Sequence, residues 1–245
     1  MNFDNSLFDN LLAFNIKIDD EDIYVPSTQH SSSTTTTSNI NDFVIYSQNA
    51  RKQNSMVHTI LSVASSMKPP ADLILIQEPY YGRIGVNPQM AQGNPITNVY
   101  GTPSHQNWQA IFPPTAFPTS PPDVMAYIPS HRSAWTFQQR SDLVSSNSLL
   151  CLEIRSSAHS FLVFNVYNDI DNTAINLMKS LTGLLPRTLF TGDFNLHHPI
   201  WSRDDNLNKH TDKADQLVKV FADNRYSILN RQGEETFFTT RTIHG

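Results

Sequence analysis

The chain of 245 residues is long enough for one large domain with a full core, or for two small ones. Hydrophobic residues make up 39% and charged residues only 16%, and the formal charge of −5 provides no global basic field for tight non-specific nucleic-acid binding. The acidic balance excludes no phosphate chemistry, because a metal site is itself built from carboxylates. Cys151 is the single cysteine, which excludes an intramolecular disulfide and any cysteine-based zinc cluster. Its surroundings, Ser148 to Ile154, read as a buried strand, so the thiol is expected to be packed rather than nucleophilic. The first residues lack the positive start and apolar centre of a signal peptide, and no apolar run approaches the ~18 residues of a membrane span. A soluble, intracellular protein is expected.

In chain order, residues 1–41 stand apart. Ser27 to Ser38 is a low-complexity Ser/Thr tract with too little apolar surface to offset its ordering entropy. Leu7, Phe8, Leu11 and Leu12 have helical spacing, enough for one short turn. Residues 1–41 are therefore expected to be a disordered tail, followed by a folded domain over 42–245.

From Asp42 onward strand-like and helix-like runs alternate. Phe43-Val44-Ile45-Tyr46 leads into Ser47-Gln48-Asn49. A helix is predicted over Arg51 to Met67, with Met56, Ile60, Val63, Ala64 and Met67 on one face, and Pro69-Pro70 ends it. Leu73-Ile74-Leu75-Ile76, apolar on both faces, reads as a central strand and delivers Gln77-Glu78-Pro79. Further strands are predicted at 108–112, 123–127, 149–154, 161–167 and 188–191. Two more helices are predicted at 173–185 and 213–223, and the Pro-rich stretch 89–122 reads as loops around short strands. Many strands and few helices, with strand–helix–strand units at both ends, point to an α/β (α+β) class with two packed sheets and helices outside.

Three strand ends carry polar residues that do not suit a core: Asn49, Glu78, and Gly192-Asp193-Phe194-Asn195. A carboxylate straight after four aliphatic residues, as at Glu78, calls for a partner, and a hard cation such as Mg²⁺ is one. An Asp-x-Asn pair in extended backbone presents both side chains on one face, where they can hold a water beside such a cation. Each residue also has a plainer reading. Asn49 can cap the following helix, Glu78 can be a solvated charge, Asp193 and Asn195 can form a turn, and Tyr167 can be strand packing. His197 and His198 suit surface or positioning roles, since Mg²⁺ sites do not favour imidazole.

Four ordered motifs carry a resemblance over roughly residues 42–245. They are Ser47-Gln48-Asn49 with Asp72 to Pro79, Phe161 to Asn168 containing Asn165-Val166-Tyr167, Thr191 to Trp201 containing Gly192-Asp193-Phe194-Asn195, and Thr236-Phe237-Phe238-Thr239. Together they resemble the endonuclease/exonuclease/phosphatase family with its DNase I-like sandwich. The His198-Pro199-Ile200-Trp201 follow-on is similar to the endonuclease domains of non-LTR (LINE-type) retrotransposons. The resemblance implies a Mg²⁺-dependent phosphodiesterase, with Mn²⁺ as an alternative cofactor, that nicks DNA to prime reverse transcription and acts in the nucleus. By the same resemblance Glu78 is the metal ligand assisted by Asn49, Asp193 orients or deprotonates the water, Asn195 fixes its position, and Tyr167 contacts the scissile phosphate.

Two other readings stay open, an apurinic-site endonuclease or other phosphoesterase of the same fold, and a catalytically dead binding module derived from a transposon. The family's last elements, an Ile-Asp strand and a terminal Ser-Asp-His, have no counterpart before Gly245. Missing C-terminal strands, an unpaired edge beside Phe43–Tyr46, weak Mg²⁺ binding and poor nicking are therefore expected.

Overall fold

The computed structural model describes residues 12–18, 23–24, 41–86, 98–131, 133–181, 184, 187–202 and 211–229. The chain divides into two units, Ala13–Phe194 and a smaller one of Met1–Leu12 with Asn195–Gly245. The larger carries β1 (Leu12–Ile18), β2 (Ile23–Tyr24), β3 (Asn41–Asn49), α1 (Asn54–Ser66), β4 (Leu73–Gln77), β5 (Gly82–Val86) and β6 (Asn98–Gly101). It continues with β7 (Trp108–Ile111), β8 (Val124–Pro129), β9 (Thr136–Gln139), β10 (Leu149–Arg155), β11 (Ser160–Tyr167), α2 (Thr173–Ser180) and β12 (Thr188–Asp193). The smaller unit carries α3 (Asp212–Asp223). Among the described residues the strands form a six-stranded sheet in the order β2-β1-β3-β4-β8-β7, a four-stranded sheet β12-β11-β10-β9, and a separate ribbon β5-β6.

Side-chain alternation along the strands builds the core. Phe43 and Ile45 of β3, Leu73 and Leu75 of β4, and Val124 and Ala126 of β8 face Leu150, Leu152 and Ile154 of β10, Phe161 and Val163 of β11, and Leu189 of β12 in one buried cluster. Phe43 meets Trp135 and Phe161 edge to face, with ring centroids 5.0 and 5.3 Å apart. Burying each such side chain is worth roughly 1.5–3 kcal/mol, so this shared face holds the two sheets together. Outward-facing Gln48 reaches Met56 of α1, which places that helix on the outer side of the six-stranded sheet. On the outer side of the other sheet Phe164 stacks on Phe190 at 4.6 Å. Cys151 is buried there, and burial pushes its thiol up to about 12, as suits a packed side chain rather than a nucleophile.

Two pairs of neighbouring strands run parallel, β3 with β4 and β11 with β12, each joined through a helix, α1 or α2. Parallel pairing brings the C-terminal ends of partner strands to the same edge. Along the inward face each strand grades from apolar to polar toward that end: Phe43, Ile45, Ser47, Asn49 in β3; Leu73, Leu75, Gln77 in β4; Phe161, Val163, Asn165, Tyr167 in β11; Leu189, Thr191, Asp193 in β12. The core is dry at one end and chemically equipped at the other.

Asn165 is the side chain that joins the sheets where this gradient turns polar. It is fully buried, and its amide donates to the carbonyls of Ile76 (3.0 Å) and Met125 (2.9 Å). Its oxygen accepts from Gln77 Nε2 at 2.6 Å, and the same Gln77 nitrogen donates to Ser47 Oγ at 3.2 Å. A buried amide satisfied in this way is stabilising and directional, whereas an unsatisfied one is costly. One strand over, Gly192 has φ +135, and a Cβ there would stand 2.1 Å from the Val166 carbonyl oxygen. Glycine alone lets β12 approach β11 at this point.

Several expectations need correction. The disordered tail does not hold for Leu12–Ile18 and Ile23–Tyr24, which are strands of the six-stranded sheet. Leu12, Phe14, Ile16 and Ile18 alternate with Ala13, Asn15 and Lys17, a period of two that the helical spacing of Leu7 to Leu12 obscured. β1 lies beside β3, so the edge expected to stand unpaired near Phe43–Tyr46 is occupied. α1 buries Val57, Ile60, Leu61 and Ala64, a stripe rotated from the predicted one. The β5-β6 ribbon and β9 were not foreseen, and α2 ends at Ser180. The Ser27–Ser38 tract and Thr236–Thr239 lie outside the described residues.

Replacing Asn165 by Leu keeps the volume but removes the donor for two carbonyls and the acceptor for Gln77. Urea unfolding should show a loss of about 2–4 kcal/mol, and an unchanged midpoint would show that the amide does not join the sheets. Gly192→Ala should cost at least about 2 kcal/mol by the same measurement, because clash and backbone strain act together.

Candidate active site

The polar ends of β3, β4, β11 and β12 bring four of the five expected site residues together. Asn49 Nδ2 donates to Glu78 Oε1 at 2.8 Å and to Asp193 Oδ2 at 3.0 Å, so one amide group holds two half-buried carboxylates. The amide oxygen accepts the Arg51 backbone N–H at 2.8 Å, which fixes the orientation of the Asn49 side chain. The N-cap of α1 is Gln53, so the helix-capping reading of Asn49 does not hold. The register sets this meeting, since Asn49 pairs with Gln77 and Tyr167 with Asp193 across their parallel neighbours.

Glu78 reaches the site through an unusual backbone. Strict alternation after inward-facing Gln77 would turn the next side chain outward. Glu78 instead has φ +46, a left-handed conformation that a non-glycine residue adopts at an energetic cost. The turn is held by the Glu78 N–H donating to the Asp123 carbonyl at 2.8 Å and by the Lys52 N–H donating to the Glu78 carbonyl at 2.7 Å. Strain held by surrounding structure is common where side chains are aimed at a ligand.

The Tyr167 hydroxyl donates to Glu78. Its burial, and then the negative charges of Glu78, Asp193 and Asp123, push its pKa above the ordinary tyrosine value. The phenol therefore stays protonated and remains a donor. Its N–H donates to the Ser148 carbonyl at 3.0 Å, and Asn168 N–H donates to the Asp193 carbonyl at 2.9 Å, so both strand ends are pinned.

Asn195 lies past the end of the strand that the alternation argument assumed. β12 ends at Asp193, and Asn195 has φ +51 and belongs to the smaller unit. In that unit His198 Nε2 lies 3.3 Å from Asp215 Oδ1, its ring packs on Trp201 at 5.0 Å, and Trp201 Nε1 donates to the Leu196 carbonyl at 3.1 Å. These local contacts suit the positioning role expected of His198.

Sequence reasoning missed two contributors. Asn165 was read only as part of a motif, although a lone amide in an otherwise apolar strand was a signal that it bridges something. Asp123, whose carboxylate accepts from Ser148 Oγ at 2.9 Å, adds a further negative charge near Tyr167. Among the described residues no group of three or more His, Cys, Asp or Glu converges as a metal-ligating cluster. The oxygen-rich set of Glu78, Asp193 and Tyr167 still fits a hard divalent ion, which takes one or two carboxylates and completes its shell with water and phosphate.

In comparisons with known proteins, a family model described as Endonuclease-reverse transcriptase matches residues 161–243, which include Tyr167, Asp193 and Asn195. No curated protein matches in sequence. Among solved structures the chain is similar to the endonuclease domain of TRAS1, a telomere-specific non-LTR retrotransposon, with a TM-score of 0.60 at 17% identity. That similarity covers 82% of this chain and 78% of the other. The chain thus has a two-sheet α/β fold similar to that of the TRAS1 endonuclease domain, and its residues 161–243 match the endonuclease–reverse transcriptase model.

Proposed function

We propose that this chain is a Mg²⁺-dependent endonuclease that nicks DNA for target-primed reverse transcription of a non-LTR retrotransposon. The observation that carries the reading is the single Asn49 amide holding Glu78 and Asp193 together, with the Tyr167 hydroxyl on Glu78. Glu78 would hold the cation, with Asn49 positioning its carboxylate, and Mn²⁺ would serve in place of Mg²⁺. The bound ion supplies charge neutralisation at the phosphate oxygens.

The chain's own groups do the rest. Asp193 takes a proton from water, whose oxygen bonds to phosphorus as the bond to the 3′ oxygen breaks. That oxygen takes a proton from solvent water and becomes the 3′-hydroxyl that primes synthesis, and Asp193 returns its proton to solvent. Tyr167, kept protonated, donates to a phosphate oxygen once substrate displaces its bond to Glu78. Asn195 would steady the water, a role that rests on the resemblance alone. DNA is the partner and the nucleus the place of action. Among the described residues no helix is long and apolar enough to cross a membrane.

Supercoiled plasmid with Mg²⁺ tests the reading. Conversion to open circles is expected, lost with chelator and lowered at least about a hundredfold by Asp193→Ala, as for removal of a general base. Intact plasmid with either Mg²⁺ or Mn²⁺, or undiminished nicking by the variant, would refute it. The tyrosine can be followed separately. Its protonated form is fully present below the ordinary value of about 10 and is lost only as pH rises through the higher folded value. In tyrosinate absorbance, the difference between wild type and Tyr167→Phe should therefore emerge above that ordinary value. A signal at or below it would remove Tyr167 as a neutral donor.

A further inference from the structure

Large apolar side chains left in water are normally scattered singly over a surface. In the Ala13–Phe194 unit they are not. Among the described residues, the large hydrophobics exposed there are Ile84, Val99, Tyr100, Phe117 and Ile170. Ile170, 85% exposed, follows Tyr167 in the loop before α2, and Phe117, 59% exposed, sits in the loop leading into β8 beside Gln77. The other three lie on the ribbon that begins just past Glu78. Among the described residues, the connections 67–72 and 156–159 at the opposite edge carry none.

Both loops are held by hydrogen bonds and connected to the site. Phe117 and Ser120 exchange backbone hydrogen bonds at 2.9 Å, and Asn147 Nδ2 donates to the Ser120 carbonyl (3.1 Å), Ser120 Oγ (2.7 Å) and the Pro121 carbonyl (3.3 Å). The Asn147 carbonyl accepts from Asp123 N–H, and the Asp123 carbonyl accepts from Glu78 N–H, which links the Phe117 turn to the site. Around Ile170, the Asp169 carboxylate accepts the Thr173 N–H at 2.8 Å and its hydroxyl at 2.6 Å, and Asn168 Nδ2 donates to Asn172 Oδ1 at 3.0 Å. Arg51 and Lys52, both exposed and both in left-handed backbone, follow Asn49 at the same edge.

We propose that Phe117 and Ile170 are apolar wedges that enter duplex DNA and unstack base steps near the scissile phosphate, while Arg51 and Lys52 meet the phosphate backbone. This rests on the nuclease reading and adds how the duplex is held. Apolar wedges on architectural proteins unstack and kink DNA in this way. A net charge of −5 gives little of the sequence-independent attraction that dominates most DNA binding, so contact at the edge has to supply it. Loop tips already held by hydrogen bonds insert at a lower ordering cost. Wedging is cheapest at easily unstacked pyrimidine–purine steps, so cutting should favour TA and CA steps without any base-specific hydrogen bond.

The test uses a short duplex with 2-aminopurine beside a TA step, with Ca²⁺ in place of Mg²⁺ to hold back cleavage. Wild-type chain should raise the fluorescence on binding. Phe117→Ser and Ile170→Ser should each bind about fivefold or more weakly and reduce the rise, and the double variant should abolish it. Phe117→Leu and Ile170→Val, which keep an apolar tip, should retain the rise and show that folding is not the cause. An unchanged rise and affinity in the double variant overturns the proposal. So does a wild-type chain that dimerises in sedimentation while the double variant is monomeric, which would assign these tips to a second copy. Plasmid nicking by wild type with no fluorescence rise removes the wedges and leaves the nuclease reading. A rise without nicking does the reverse.

Discussion

The buried Asn165 amide is the interaction on which the rest of the molecule depends. The apolar cluster gives the two sheets a reason to pack, but packing alone is non-directional and tolerates sliding. An amide on β11 of one sheet that must satisfy two carbonyls, those of Ile76 and Met125, and a side chain, Gln77, all on strands of the other fixes the offset between them. With that offset set, Tyr167 at the end of β11 arrives over Glu78 at the end of β4. Asp193, carried by its parallel register to β11, arrives beside Asn49. Site geometry is here a consequence of sheet alignment rather than of loop conformation.

The same alignment concentrates unfavourable features at one edge. Two carboxylates share one amide, a third lies nearby, Glu78 has a left-handed backbone, and large apolar side chains stand in water. Each is mildly costly for stability, and among the described residues the core shows no such accumulation. Proteins hold strain and clustered like charge of this kind where a ligand relieves it. A cation between the carboxylates, phosphates beside Arg51 and Lys52, and bases against the apolar tips would each offset one of these costs.

Much of this was legible in the sequence because the chain obeys simple periodicities. The runs 73–76, 161–167 and 188–191 were visible as strands, and the polar residues terminating them were visible as a site. What remained hidden had physical causes. Helical spacing in Leu7 to Leu12 masked the alternation of Leu12 to Ile18, and only tertiary pairing with β3 decides between them. Glu78 could be identified as interesting, but its inward aim depends on a positive φ that no propensity foretells. The strand carrying Asp193 stops there, so the extended alternation that the sequence suggests does not reach Asn195. Asn165 was invisible as a bridge because its partners, at Ile76 and Met125, lie in distant segments of the chain.

Those distances in sequence carry one more consequence. The hydrogen bond from Asn49 to Asp193 joins residues 144 positions apart, and the Asn165 bond to Ile76 spans 89. Contacts so non-local must close long loops before they return any stabilisation, which makes them late and slow to form. A nascent chain leaving the ribosome can complete β3, α1 and β4 early, yet Glu78 has no Asp193 to share an amide with until β12 has emerged. Cutting competence, on the reading proposed above, would come only after β12 has emerged and paired with β11. A ribosome-bound fragment ending before Thr188 would hold half of a site and no reactive pair.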